Sequence, residues 1–228
     1  MKKIKSSIGK IKQFIRKIYN KIISSIGKIK QFIRKIYNKI IVRKLKNNDF
    51  SIIASNCNGA FLLHDLGLRF NSPFVNLWMK PDDFIRFLSN INHYLICEMT
   101  FVEEADISYP IGLLDDVRIY FQHYSTKEMA KEKWVERSKR INFNNLFIMF
   151  TDRDGCTHQN LRDFDALPYK NKVVFTHVPY PEFQSACYLK GWESETSVGM
   201  CFDYKSVFSI RKHYDDFDYI DWFNKGKI

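Results

Sequence analysis

Two aspartates, Asp152 and Asp154, are the residues of this sequence whose spacing most directly suggests chemistry. They follow an apolar run in the stretch LFIMFTDRDG, so an Asp-x-Asp stands where a strand is expected to end. Paired carboxylates bind hard divalent cations, and a bound Mg²⁺ or Mn²⁺ would offset the charge on a departing diphosphate. The pattern therefore predicts a metal site for a nucleotide-sugar substrate. The structural alternative is that Asp152 caps the following helix and Asp154 forms a turn before Gly155.

Other polar residues near the ends of apolar runs add to this candidate site. Arg153 and His158 could bind phosphate oxygens without a metal, and we place Gly155 with them in the substrate-binding set. His177 follows a later apolar run, in the stretch VVFTHVPYP, and is a candidate general base. Its structural alternative is a histidine that is hydrogen-bonded to backbone within the core.

The turn SNCNG after the first apolar run contains a candidate nucleophile, Cys57. A turn from strand to helix places a thiol at a helix N-terminus, which lowers its pKa. With His64 and Asp65 one helical stretch later, this arrangement suggests covalent acyl transfer. The alternatives are a semi-buried cysteine in a turn served by Asn56 and Gly59, or a helix start whose amides bind an anion.

These segments need a sheet to position them. From residue 48 onward, short apolar runs alternate with amphipathic stretches, which is typical of an α/β fold. Ligands of open α/β sheets bind beyond the carboxyl ends of strands. We therefore predict a single open-sheet α/β domain over residues 47–228. The predicted strands are 50–54, 74–78, 117–121, 146–150, 173–175 and 198–202, and the predicted helices are 82–95, 126–140, 158–167 and 214–223.

A tandem repeat precedes this domain. The 18-residue sequence SSIGKIKQFIRKIYNKII occupies residues 6–23 and recurs without change at 24–41. Eighteen residues make five turns of α-helix, so the duplication adds length without rotating the apolar face. Isoleucines at spacings of three and four predict a long basic amphipathic helix over residues 1–46.

The charge of the chain is concentrated in that helix. Residues 1–46 contain 16 Lys and Arg and no acid, whereas residues 47–228 carry a net charge of −5. This split argues against a nucleic-acid-binding domain and favours an anionic membrane surface as the partner. At roughly 64 Å the helix is too long to be a simple span and should lie flat on the surface. A coiled coil and an RNA-binding arm are the alternatives.

Cysteine usage and hydropathy predict the compartment. The five cysteines are odd in number and widely spaced and include no CxxC, which favours a reducing compartment. The sequence has neither an apolar run of about 18 residues nor a secretory signal pattern. We therefore expect a cytoplasmic protein, peripheral on the inner face of the cell membrane.

Four stretches of the chain resemble a bacterial family of exopolysaccharide or capsule biosynthesis proteins built on domain of unknown function 1919. They are FSIIASNCNGAFLLHDLGLRFNSPFVNLWM (50–79), LFIMFTDRDGCT (146–157), LPYKNKVVFTHVPYP (167–181) and FDYIDWFN (217–224). The resemblance implies a cytoplasmic, membrane-associated step beside glycosyltransferases and other polysaccharide-assembly proteins. The first motif of that family more often reads Asn-Asn-Cys-Trp-Gly-Gly, from which Ser55, Asn58 and Ala60 depart here.

Three functional hypotheses follow. The first is a glycosyltransferase-like enzyme that moves a sugar from a nucleotide sugar to a lipid-linked saccharide, with His177 or Asp65 as the base. The second is an acyltransferase or other polysaccharide-modifying enzyme that uses Cys57 and His64. The third is a non-catalytic, membrane-bound assembly subunit.

Overall fold

The long N-terminal helix predicted from the repeat is present. The computed structural model describes the backbone of residues 2–226 and the side chains of residues 12–226. Helix α1 (Lys2–Val42) runs unbroken through both copies of the repeat, although the prediction extended it to residue 46. None of the helices in these residues combines the length and the apolar character needed to cross a bilayer.

A four-stranded parallel sheet forms the centre of the domain and confirms the α/β fold class. The strands pair in register, with Ile53 beside Ile148 and Met149 beside Val173. Their sequences are nearly continuous apolar runs, as expected for strands that are covered on both faces. In spatial order the strands are β1 (Ser51–Ala54), β5 (Leu146–Thr151), β6 (Lys172–Thr176) and β7 (Ala186–Tyr188).

A second, antiparallel sheet lies between β1 and β5 in the sequence. Its strands are β2 (Thr100–Val102), β3 (Ile111–Leu114) and β4 (Val117–Tyr120), of which only β4 was predicted. The predicted strand 74–78 is wrong: Asn76 has a left-handed φ of 63°, and only Trp78 bridges to β4. The predicted strand 198–202 is also wrong, because the Val198 amide donates to the Asp152 side chain instead of a neighbouring strand.

The remaining helices cover both faces of the parallel sheet. The predicted helix 82–95 is divided at Asn90, whose φ of −145° is not helical. Alternate strand residues point to opposite faces, so Ile52 and Ile53 belong to two separate hydrophobic clusters. The helices are α2 (Asn58–Leu66), α3 (Pro81–Ser89), α4 (Ile91–Ile96), α5 (Lys127–Ser138), α6 (His158–Ala166) and α7 (Tyr219–Lys225).

The second copy of the repeat is packed against the domain through Arg34. This side chain is 3% exposed and forms ion pairs with Asp215 and with Asp65, the latter at 3.3 Å. Its guanidinium also donates to the Tyr214 hydroxyl at 3.2 Å. In contrast, the side chains of residues 12–22 in the first copy are exposed. Two identical sequences therefore have different environments.

Candidate functional site

The three polar segments identified from the sequence lie at one edge of the parallel sheet. They follow β1, β5 and β6, which are neighbours in the sheet and run in the same direction. Side chains link the segments: Asn56 donates to the Thr151 hydroxyl at 2.8 Å, and His177 contacts Asp152. The expectation that carboxyl ends of parallel strands collect these residues is therefore met.

Asp152 positions His177. The carboxylate is 5% exposed, and its Oδ1 accepts the Val198 amide at 2.8 Å. Its Oδ2 accepts the His177 amide at 2.8 Å and contacts His177 Nδ1 at 2.5 Å. This contact occupies Nδ1, so Nε2 is the ring nitrogen left for any acid–base role. A buried carboxylate that orients a histidine is an arrangement common in general acid–base sites.

The same geometry makes the predicted Asp-x-Asp metal site unfavourable. Both Asp152 oxygens already accept hydrogen bonds from backbone amides, whereas Asp154 is exposed. Asp154 and Gly155 both have left-handed φ values, 60° and 86°, so they form a tight turn in which aspartate and glycine are favoured. Within the described residues no group of three or more His, Cys, Asp or Glu side chains is arranged to hold a metal ion.

A cleft of about 440 Å³ lies beside this edge. Phe61 and Phe202 stack at 3.9 Å, and the Trp78 indole donates to the Tyr109 hydroxyl at 3.3 Å. The Arg153 guanidinium contacts the Gly199 carbonyl and the Met200 sulfur, which are both neutral. The cleft is lined by Asn56, Cys57, Phe61, Trp78, Tyr109, Gln122, His123, Arg153, Asp154, Met200 and Phe202.

Cys57 lines this cleft, but its surroundings do not activate it. Burial raises the pKa of the Cys57 thiol, an effect only partly opposed by a backbone hydrogen bond at Leu77 and by the positive charge of Arg153. His64, the predicted partner, lies two turns further along α2 and lines a different groove, beside α1. The structure therefore separates Cys57 from His64. His123 shares the cleft with Cys57 but was not predicted from the sequence. It lies shortly after β4, so the rule that site residues follow strands also applies to it.

Asp65 is part of the contact between the helix and the domain. Lys212 Nζ lies 2.7 Å from its Oδ2, and Arg34 and Tyr214 donate to the same oxygen. Burial alone would raise the pKa of Asp65, but hydrogen bonds from Lys212 and Tyr214 lower it below the usual value. A carboxylate stabilised in this way is a poor general base. Asp65 therefore holds α1 in place.

The remaining predicted binding residues have mainly structural contacts. The Asn56 side chain accepts the Asn58 amide at 3.1 Å and so shapes the turn into α2. His158 Nε2 lies 3.0 Å from Glu182 on an exposed part of the surface. Gly59 is buried in α2 against β1, and its small size is required by packing.

Replacing Gly59 with alanine should destabilise the fold by about 1–3 kcal/mol. A Cβ at this position would lie 2.8 Å from Ala54 Cβ and 2.9 Å from Ile52 Cγ2, so helix and strand would have to separate. Gly27→Ala is the matched control, because a Cβ there meets nothing within 4 Å. That variant should be neutral or stabilising by up to about 1 kcal/mol. Urea denaturation measures both, and equal effects would contradict the close packing of α2.

Comparison with known proteins places the chain in a family. Residues 28–224 match the family model described as "Domain of unknown function (DUF1919)", a match that begins within the second copy of the repeat. A protein of Haemophilus influenzae (strain ATCC 51907 / DSM 11121 / KW20 / Rd), described as an uncharacterized protein, is 52% identical over 182 residues. The alignment covers 80% of this chain and 87% of that protein. The chain therefore belongs to the DUF1919 family.

Proposed function

We propose that this protein acts at the surface of an anionic membrane on a lipid-linked saccharide, as a glycosyltransferase-like enzyme of exopolysaccharide or capsule assembly. The observation that carries the proposal is the way in which α1 docks. The helix contacts the domain with one face and leaves most of its apolar stripe uncovered. A membrane-bound α1 would thus hold the domain, and its cleft, close to a bilayer-borne substrate.

The docked face and the apolar stripe are different sides of α1. The residues that face the domain are Lys30, Arg34, Tyr37 and Ile41, all of which are at least partly buried. Most isoleucines of the stripe remain exposed although the second copy is docked; Ile29, for example, is 60% exposed, whereas Ile26 is partly buried. A contiguous stripe of exposed apolar side chains on a soluble monomer usually marks an interaction surface. The exposed stripe comprises Phe14, Ile15, Ile18, Ile22, Ile29, Phe32, Ile33, Ile36 and Ile40.

The charge around the stripe indicates what covers it. Residues 1–46 contain no acidic side chain, so a second copy of this helix would bring like charges together. On an anionic leaflet, each basic residue near the surface instead contributes about 1 kcal/mol to the free energy of binding. Burial of the isoleucines contributes in addition. We therefore favour a membrane over the coiled coil.

The cleft has the composition of a saccharide site. Aromatic faces such as those of Trp78 and Phe61 pack against the apolar faces of sugar rings, and a few polar groups orient the ligand. Arg153 offers a guanidinium that forms no ion pair with a carboxylate among the described residues, and this group suits a donor diphosphate. We assign His177, which Asp152 orients at the same edge of the sheet but which does not line the cleft, as the base for the acceptor hydroxyl. The raised pKa of Cys57 makes the acyltransferase alternative less favourable.

A vesicle assay tests both parts of the proposal. Wild-type protein should co-sediment with phosphatidylglycerol vesicles. When a lipid-linked saccharide and a panel of nucleotide sugars are supplied, it should also release nucleotide and extend the saccharide. Replacing Ile15, Ile29 and Ile33 with serine should abolish most of the sedimentation because the apolar contribution to binding is lost. All 16 basic residues remain in this variant, so a loss of charge cannot explain the result.

Two arginine variants separate the membrane surface from the cleft. Arg153→Ala should sediment normally but lose transfer about 100-fold, as for an electrostatic contact to the transition state. Arg69→Ala removes the same charge from an exposed position outside the cleft and should be normal in both assays. Sedimentation without transfer by wild-type protein, for every donor and acceptor, would support a non-catalytic assembly subunit. Absence of sedimentation would disprove the membrane proposal.

A further inference from the structure

A second groove, of about 540 Å³, lies where α1 crosses α2. We propose that this groove binds the phosphate headgroup of an anionic phospholipid of the membrane on which α1 lies. The inference deepens the proposed function and rests on it. The groove is lined by residues of the second copy of the repeat and by residues of α2 with Tyr204.

The polar lining of the groove is cationic. Lys35 and Lys39 are one turn apart on α1 and are exposed, and His64 on α2 faces the same space with 79% of its side chain accessible. Two lysines of this spacing lie on one side of a helix, where both can reach one phosphate. Lysine binds phosphate as a compact charge with three donors.

The one carboxylate in the groove is already neutralised. Asp65 lies within 3.3 Å of Arg34 and 2.7 Å of Lys212, and Tyr214 donates to the same carboxylate. Its negative charge is therefore balanced by Arg34 and Lys212 and does not cancel Lys35 and Lys39. The groove as a whole attracts an anion.

The apolar lining indicates that this anion carries a hydrocarbon part. Phe32 and Ile36 line the groove and also belong to the exposed stripe, and Val42 and Leu66 add apolar surface. The groove is thus continuous with the surface that we place on the membrane. A free phosphate ion would use the lysines and leave this apolar lining without a contact, whereas a phospholipid would use both.

The groove also lies close to the cleft. Phe61, which lines the cleft, and His64, which lines the groove, are three residues apart on the exposed side of α2. Such residues are neighbours on a helix surface. A lipid headgroup in the groove would therefore hold the cleft within reach of a saccharide attached to the same bilayer.

The repeat supplies an internal control for the test. Lys17 and Lys21 of the first copy correspond to Lys35 and Lys39 of the second, with the same neighbours in sequence. Both are exposed, and neither lines the groove. A general attraction to anions would use both pairs equally, whereas a site in the groove would use only the second pair.

The experiment is calorimetric titration of the full chain with dihexanoyl-phosphatidylglycerol below its micelle concentration, at constant ionic strength. Wild-type protein should bind one molecule, and Lys35→Gln with Lys39→Gln should weaken binding about 20-fold or more. Lys17→Gln with Lys21→Gln should leave binding unchanged. His64→Gln should weaken it less than the lysine pair. All of these substitutions are at exposed positions, so the fold should be retained.

Three outcomes would overturn the groove assignment: equal effects of the two lysine pairs, equal binding of dihexanoyl-phosphatidylcholine, or full competition by inorganic phosphate at the same concentration.

The vesicle assay separates failure of the groove assignment from failure of the proposed function. If the groove binds no lipid while wild-type protein still sediments and the isoleucine variant does not, the membrane function stands and only the groove assignment falls. If wild-type protein binds the short-chain lipid but does not sediment with vesicles, the membrane function falls instead.

Discussion

Replacing Arg34 with alanine should destabilise the protein by about 3–5 kcal/mol, because it leaves buried carboxylates without their partner. The Asp215 side chain is 1% exposed and contacts both terminal nitrogens of Arg34, one of them at 3.0 Å. Asp65 and the Tyr214 hydroxyl lose the same guanidinium. Urea denaturation of the full chain measures the loss, and limited proteolysis should show that α1 becomes accessible along the second copy.

The repeat provides the matched control for this experiment. Arg16 has the same neighbours in sequence as Arg34, but it is exposed in the first copy. Arg16→Ala should change the free energy of unfolding by less than about 0.5 kcal/mol, as is usual for a surface substitution. If the two alanine variants were equally stable, α1 would not be docked through the second copy. The proposed position of the domain at the membrane would then lose its basis.

Replacing Asp152 with asparagine should destabilise the domain by about 3 kcal/mol, although the side chain keeps its shape. The carboxylate accepts the Val198 amide with one oxygen and the His177 amide with the other. An asparagine has one acceptor oxygen, so its NH₂ group would face a buried N–H donor. His177 would also lose the charged partner that orients its ring. Thermal or urea denaturation should therefore report the change before any activity is measured.

Asp154→Asn is the comparison that distinguishes positioning from metal binding. Asp154 is exposed, and asparagine tolerates its left-handed backbone conformation, so this variant should be nearly as stable as wild-type protein. A metal site shared by the two aspartates predicts a different result. Mn²⁺ would then raise the melting temperature of wild-type protein, and both variants would lose that increase equally. Such a result would restore the Asp-x-Asp metal site.

Much of the fold could be predicted because strands and helices of this domain have strong local patterns. The runs at 50–54, 146–150 and 173–175 are almost wholly apolar, and all three are strands of the parallel sheet. The short strands β2, β3 and β7 were missed because three or four residues carry little periodicity, and these segments do not stand out as strands from the sequence around them. The segment 74–78 has the composition of a strand, but the left-handed Asn76 interrupts it.

The location of the candidate site was predictable, whereas the roles of its residues were not. Parallel topology places the segments after β1, β5 and β6 at one edge, whatever their sequences are. Whether a carboxylate is a ligand or an anchor depends on which donors surround it. The donors to Asp152 come from Val198 and His177, which are 46 and 25 residues away in the sequence. The separation of Cys57 from His64, in contrast, is local, because His64 lies two helical turns beyond Cys57 along α2.

The repeat gives the clearest division between the two kinds of information. The sequence by itself determined the helix, its apolar stripe and its positive charge, because periodicity and composition are local properties that both copies share. Only the tertiary structure decided that Arg34 is buried and Arg16 exposed, and that Lys35 and Lys39 line a groove while Lys17 and Lys21 do not. The physical reason is position along the helix. Asp65, Asp215 and α2 lie beside the second copy of the repeat. Two identical segments therefore acquire different burial and different contacts from their surroundings alone.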